Sequence, residues 1–278
     1  NMGGPITSNY FEQEITFQYS DIVVLISKAE KQHYISFGYD KYESTPHVIY
    51  NSYKPKLDTD PWRPNYELND IGYIGRHVPR KRPDLPIFAV EKSGRKDVRV
   101  FNMGVDYKGE QGNPFWEDLG RKHPKQLVII PFSSNRETAH FYWKSIGANS
   151  ITGIYEPFGY TMCETLDRRV PAIVQNIDGP SEITANVQDS VFVYEVDQDF
   201  DKDVDNFLVA TNNFWETHAD DRKAMAEHAR TALDDFRPEV IKLKWKEILL
   251  NAQPRKITGL ATDQKTQKTT KGYGGYGN

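Results

Sequence analysis

The densest chemistry in the chain lies between Tyr155 and Glu164, in the run YEPFGYTMCE. Two carboxylates, Glu156 and Glu164, stand eight positions apart in it. Between them Pro157, Phe158 and Gly159 predict a tight turn, because proline fixes φ and glycine admits left-handed backbone. Glu156 is expected to end a strand, and Thr161 to begin a helix. A strand–turn–helix of this kind aims unpaired backbone N–H groups and the positive end of a helix dipole at one point, which suits an anion. Glu164 falls in the first turns of that helix, at the same mouth. Two carboxylates framing a phosphate-sized hole suit a ligand that carries hydroxyls and phosphates together, as a nucleotide-sugar does.

A second cluster supplies cations. Gly75 and Arg76 close a predicted strand that begins at Ile71, and Arg80, Lys81 and Arg82 follow. Alone, this is also the composition of a solvated basic loop; its place directly after a strand favours a phosphate-binding role. The seven histidines are scattered without metal-ligand spacing. Cys163 has no identifiable base beside it in the sequence and reads as a packing residue on the helix. Phe141, Tyr142 and Trp143 read as core.

The elements that must position these residues alternate. Strand signals occur at Asp21–Ile26, His47–Tyr50, Ile71–Ile74, Val98–Asn102, Leu127–Phe132, Ile151–Tyr155, Ala172–Gln175 and Val191–Tyr194. Helical patterns lie between them: Lys28–Phe37 stopped by Gly38, a helix opened by the Ser134–Glu137 capping box, then Val204–Glu216 and Asp220–Phe236. A last helix, Glu239–Leu250, carries Val240, Leu243, Trp245, Ile248 and Leu249 as a stripe. Strands alternating with helices predict βαβ units, so the fold class is α/β: a Rossmann-like parallel sheet flanked by helices.

Composition bounds the rest. The chain has 278 residues, enough for one large or two modest domains. Its mean hydropathy is −0.68, on the polar side, yet 13% of residues are aromatic and can anchor a core. The net charge of −4 gives no global basic excess for nucleic acid. A single cysteine excludes an intramolecular disulfide framework and fits a reducing compartment. No apolar run approaches the ~18 residues of a membrane span, and the start lacks a signal-peptide core, so a cytoplasmic protein is expected. The stretch 255–278 carries five Lys/Arg against Asp263 and ends in GYGGYGN, which predicts a flexible basic tail.

The E-P-F-G-x-T-x-x-E block, followed by Val170–Val174 and by Asp178-Gly179-Pro180-Ser181-Glu182-Ile183, resembles the donor-site signature of retaining GT-B glycosyltransferases of the group 1 type. Three further stretches agree in order. Tyr73–Arg76 with Lys81, Asp84 and Leu85 resembles the family's G-R…K-G-x-D-L segment. Ser20–Ser27 resembles the strand closing its N-terminal domain, and Val48–Asn51 its interdomain segment. The resemblance spans roughly residues 15 to 250 and implies a GT-B donor domain with a truncated or reduced acceptor domain. It departs from the pattern in three places: the glycine after the lysine is Arg82, the second glycine of a glycine pair is absent, with Asp178 preceding Gly179, and Asn51 is followed by Ser52.

The resemblance implies residue roles. Arg76 and Lys81 would hold the diphosphate, and Glu156 would bind the donor sugar's hydroxyls; these three are the catalytic candidates. Gly75, Thr161 and the main-chain N–H groups of Phe158, Gly159 and Tyr160 would complete the sugar and phosphate site. Glu164 would bind the ribose, and the backbone of Ile130, Pro131 and Phe132 would meet the base. No metal or other cofactor is expected; the donor would be a UDP-, GDP- or ADP-linked sugar, transferred with retention to an acceptor the sequence does not identify.

The expected organisation is a reduced acceptor side and linker over 1–65, a nucleotide-sugar-binding domain over 66–236, a crossover helix over 237–254, and the tail. A complete member would carry a further acceptor-binding domain, on the order of 150 residues, before Asp21. This chain is therefore a fragment, a short form with a remodelled acceptor side, or a subunit whose cleft a second chain or copy completes. Two alternatives follow: a partner-dependent nucleotide-sugar-binding subunit without activity alone, and, ranked lower on the basic tail and the 76–82 patch, a viral-type DNA base glycosyltransferase.

Overall fold

The computed structural model describes residues 16–42, 46–55, 64–106, 114–131 and 136–252. Phe132, Ser134, residues 56–63 of the linker and the basic tail lie outside them. The main sheet has six parallel strands: β3 (Ile71–His77), β4 (Val100–Asp106), β5 (Leu127–Pro131), β6 (Ala148–Ile151), β7 (Ala172–Gln175) and β8 (Phe192–Tyr194), in the order β5-β4-β3-β6-β7-β8. The order reverses between β3 and β6. Ligands of open parallel sheets bind outside the carboxyl ends of the strands at such a switch point. The α/β, Rossmann-like class read from the sequence is the class observed.

Alternation along the strands divides the core. Val100 faces one side with Ile71, Leu85, Ile87, Phe207 and Phe214, where helices α2 (Leu85–Ser93), α3 (Pro114–Lys122) and α7 (Phe200–Glu216) pack. Phe101 and Met103 face the other, against Tyr142 and Trp143 of α4 (Arg136–Ser145). On that second side Ile151, Ala172 and Val174 meet Met162, Cys163 and Leu166 of α5 (Tyr160–Asp167). Cys163 and two of the three clustered aromatics are core, as the sequence predicts; Phe141 is exposed.

Four expectations change. The strand predicted at Ile151–Tyr155 lies at Ala148–Ile151, so it stops well before Glu156. The run Asp21–Ile26 pairs only at β1 (Val24–Leu25), whose parallel partner β2 is His47–Val48. Along α9 (Pro238–Asn251) the buried side chain is Ile241; Leu243, Trp245 and Leu249 are exposed rather than forming a buried stripe. The stretch Asp220–Phe236 also divides, into α8 (Ala219–Ala229) and a 3₁₀ turn from Arg230.

The N-terminal segment is fastened to the main sheet's helices. Helix α1 (Lys28–Ser36) opens with a reciprocal cap: Ser27 Oγ accepts from Glu30 N, and a Glu30 carboxylate oxygen accepts from Ile26 N, each at 3.1 Å. Glu182, on α6 (Asp178–Thr184), accepts from Lys28 N at 2.9 Å, Ala29 N at 2.7 Å and Tyr50 Oη at 2.6 Å. A carboxylate at a helix N-terminus takes otherwise orphaned donors and meets the positive dipole end.

Candidate active site at the switch point

The carboxyl ends of β5, β4, β3 and β6 converge on the two motifs found in the sequence. Gly75, Gly104 and Pro131 are register partners across β3, β4 and β5; β3 and β4 run two residues further, to His77 and Asp106, and β5 ends at Pro131. After His77 the chain makes a 3₁₀ turn over Pro79–Lys81. After Ile151 it runs to the Glu156–Gly159 bend and into α5. Lys81 and Glu156, from these two turns, form an ion pair across the switch point. Both are partly buried. Burial pulls the Lys81 ammonium below its usual range, against the opposing pull of Glu156.

Each turn is held by backbone contacts. Thr152 Oγ1 donates to the carbonyls of Lys81 at 2.7 Å and Arg82 at 3.0 Å. Ile154 N donates to Arg80 O at 2.9 Å, and the Arg80 guanidinium donates to Tyr155 O at 3.3 Å. On the Glu156 side, Asp178 accepts from Glu156 N at 3.1 Å, and Gly179 N donates to Glu156 O at 3.0 Å. A Cβ on Gly179 would stand 2.4 Å from both Cα and O of Phe158, so only glycine lets α6 come this close to the bend. Gly159, at φ +101, caps α5 in left-handed backbone, and no side chain of its own caps the helix's first N–H groups.

Arg82 and Asp178 occupy positive-φ positions, at 43° and 51°. These are two of the places where the sequence departs from glycine. Glycine adopts such backbone without strain; here each position carries a side chain instead. Arg82 is buried and forms an ion pair with fully buried Asp203. It also donates to Asp197 O at 2.6 Å and Gln198 O at 3.1 Å, and its guanidinium lies 5.7 Å from the centre of the Phe200 ring. Arg82 thus ties the chain directly after Lys81 to the 197–203 segment, bracing the Lys81 turn through the backbone.

The remaining candidates fall as follows. Arg76 is exposed next to the end of β3, and its carbonyl accepts from Tyr73 Oη at 3.0 Å. Its charge reaches Lys81, whose protonation it disfavours. Phe158 is buried in the core, so only its main chain can serve a ligand. Tyr160 is exposed, and Thr161 and Glu164 are half-buried along the first turns of α5. The Ile130 side chain belongs to the core, while Pro131 is exposed at the strand end. Tyr155 joins the site to the N-terminal segment: its hydroxyl donates to Glu30 at 3.3 Å and its ring stacks on His33, 5.7 Å between centres. Thr152 carried no motif signal, and Asp178 stood in the sequence as part of a resembling block and as a departure from its glycine pair, with no role assigned. Among the described residues, no three His, Cys, Asp or Glu side chains cluster as metal ligands would.

A family model described as "Glycosyl transferases group 1" matches residues 58–231. The chain belongs to the group 1 glycosyltransferases. Its sheet and crevice are the donor half of the GT-B fold. Solved structures of similar shape include TarM (18% identity, TM-score 0.65, 85% of this chain and 45% of that one). Sucrose-phosphate synthase from Thermosynechococcus elongatus superposes at 15% identity and TM-score 0.67, over 86% of this chain and 60% of that one. Anabaena HepE in complex with UDP and glucose does so at 16% identity and TM-score 0.66, over 85% and 65%. This group 1 chain therefore spans from under half to about two thirds of the length of these structures. No curated protein sequence matches it significantly.

Proposed function

We propose that this chain binds a nucleotide-diphosphate sugar at the switch-point crevice and transfers the sugar, with retention of anomeric configuration, to an acceptor hydroxyl. The observation that carries the reading is the Lys81–Glu156 pair, set between two strand ends and beside the α5 N-terminus. Separating the pair would expose one cation for a phosphate and one carboxylate for a sugar hydroxyl. In the proposed complex the diphosphate lies against Arg76, Lys81 and the N–H groups that open α5, with Gly75 giving close approach. Glu156 accepts from the sugar's hydroxyls and Glu164 from the ribose, and the base meets the 130–132 segment. The anomeric C–O bond breaks toward the diphosphate, whose growing charge these cations stabilise. The acceptor oxygen attacks from the same face and its proton passes to the departing phosphate. Residues 66–236 form the donor domain in this proposal, with 1–65 as acceptor side and linker and 237–254 as a crossover helix.

Titration calorimetry with UDP-, GDP- and ADP-glucose tests the site. One donor is expected to bind, with Lys81→Met and Glu164→Ala weakening donor and free diphosphate alike, and Glu156→Gln slowing turnover and lowering donor affinity only by the sugar's share. A parent chain that binds none of the three, or variants that all bind and turn over like the parent, would refute the assignment. A second reading, a donor-binding subunit that needs a partner for transfer, is favoured by the exposed Leu243, Trp245 and Leu249 on α9. Donor binding without hydrolysis or transfer is its signature.

A further inference from the structure

The carboxylate of Asp178 is costly in three ways. Its backbone is left-handed at φ +51, where glycine is at ease and a side chain carries strain, though aspartate less than most. It is half-buried, and burial raises its pKa above the usual value. The carboxylates of Glu156 and Glu182 stand near it and oppose its ionisation, with His33 of α1 as the opposing cationic partner when protonated. A residue kept at such cost at the foot of a helix would be expected to cap that helix. Yet Ile177, not Asp178, occupies the N-cap position of α6, and the Asp178 side chain accepts from Glu156 N at 3.1 Å.

We propose that Asp178 is a positioning residue for the donor sugar, fixing through the Glu156 main chain the direction in which the Glu156 carboxylate enters the crevice. Two neighbours in the chain seize both polar groups of the Glu156 backbone: Asp178 takes its N–H, and Gly179 donates to its carbonyl at 3.0 Å. With both groups fixed, the Cα–Cβ bond of Glu156 has one direction, and its carboxylate reaches Lys81. An ionised acceptor makes the N–H bond stronger than a neutral one would. Glycine at position 178 leaves the N–H without its acceptor and the bend free to rotate. This inference rests on the reading that Glu156 binds the sugar.

The test compares Asp178→Gly, Asp178→Asn, Glu156→Gln and the Glu156→Gln/Asp178→Gly double variant in the full chain. The donor is whichever of UDP-, GDP- or ADP-glucose the parent binds, with its free nucleoside diphosphate as control. Readouts are melting temperature, affinity for each ligand, and slow donor hydrolysis, in which water replaces the acceptor hydroxyl. Asp178→Gly is expected to melt no lower than the parent and to bind the diphosphate within about twofold. It is expected to hydrolyse the donor at least about tenfold more slowly, and Asp178→Asn to recover most of that loss. The double variant is expected to be no slower than Glu156→Gln alone, because the two residues act as one unit. Parent-like hydrolysis by Asp178→Gly, equal loss of diphosphate and donor affinity, or multiplying defects in the double variant would each overturn the positioning role while leaving the Glu156 reading intact. Parent-like turnover by Glu156→Gln would overturn both.

Discussion

Replacing Arg82 by glycine restores the residue that the family pattern carries after its lysine. Such a change toward consensus ordinarily stabilises a protein. Here the opposite is expected. Glycine would relieve the left-handed backbone at φ 43, worth about 1–2 kcal/mol. It would also strip the partner from Asp203, whose side chain is fully buried. Breaking a buried ion pair by removing one member costs about 3–5 kcal/mol, because the other charge stays buried without its counter-ion. The carbonyls of Asp197 and Gln198 lose a charged donor as well. The balance is a loss of about 2–4 kcal/mol, or a melting temperature lower by roughly 5–15 °C for a chain of this size.

Two controls separate the terms. Asp203→Asn in the glycine background removes the stranded charge and is expected to recover about half of the loss, since the remaining Asp197 N–H bond at 3.0 Å can go to the amide oxygen. Arg82→Lys keeps the charge but not the fork that reaches two carbonyls, and should fall between parent and glycine variant. Urea unfolding followed by circular dichroism gives all four stabilities. An Arg82→Gly protein as stable as the parent, or more so, would show that the left-handed strain outweighs the buried pair and would refute the bracing argument.

Gly179→Ala is expected to cost about 1–3 kcal/mol in the same assay, because its new methyl meets the Phe158 backbone at 2.4 Å and neither chain can yield cheaply. Cys163 is buried and its thiol pushed up by desolvation, so maleimide should leave it unmodified in the folded chain and label it once urea unfolds the protein. Lys81 titrates lower in the folded than in the unfolded chain, so just below pH 10.5 the unfolded state holds a proton the folded state has released. Stability contributed by this group therefore rises with pH in that window, and Lys81→Met should remove the rise. A parent and variant with the same pH slope there would contradict the burial of the ammonium.

Most of the sheet was legible because its strands are short apolar runs between turn residues. Strand β6 was the exception, for a physical reason. Its centre is Asn149-Ser150, polar residues that do not look like a buried strand. In the fold both are buried and paired: Asn149 Nδ2 donates to Thr165 Oγ1 at 2.8 Å, and Ser150 Oγ donates to Gly72 O at 2.6 Å. The satisfaction that makes them tolerable comes from a neighbouring strand and a helix, which local pattern cannot report. The stripe on α9 failed in the other direction. Its spacing is helical and the helix exists, but periodicity gives an apolar face, not the surface that covers it. At the site, Lys81 and Glu156 were found by their motifs, while the contacts of three further residues lie far apart in the chain and escape local pattern: Thr152 and Asp178 hold main-chain atoms of the two turns, and Arg82 reaches the Asp203 carboxylate and the carbonyls of Asp197 and Gln198.

The pairing of Lys81 with Glu156 has a consequence for binding in the proposed donor complex. An unoccupied crevice with a bare, partly buried ammonium and a bare carboxylate would bear two desolvation penalties at once. Each group instead satisfies the other. A diphosphate arriving at Lys81 offers a stronger anion than Glu156 does, and the carboxylate it displaces is released beside the sugar that the same ligand carries. Free nucleoside diphosphate would release Glu156 with nothing to accept from, so the sugar portion should add affinity, and Glu156→Gln should erase that increment. Comparison of nucleoside diphosphate and nucleotide-sugar affinities in the two proteins measures it. An increment that persists in Glu156→Gln would mean that the sugar is held elsewhere in the crevice and that the ion pair is only a brace.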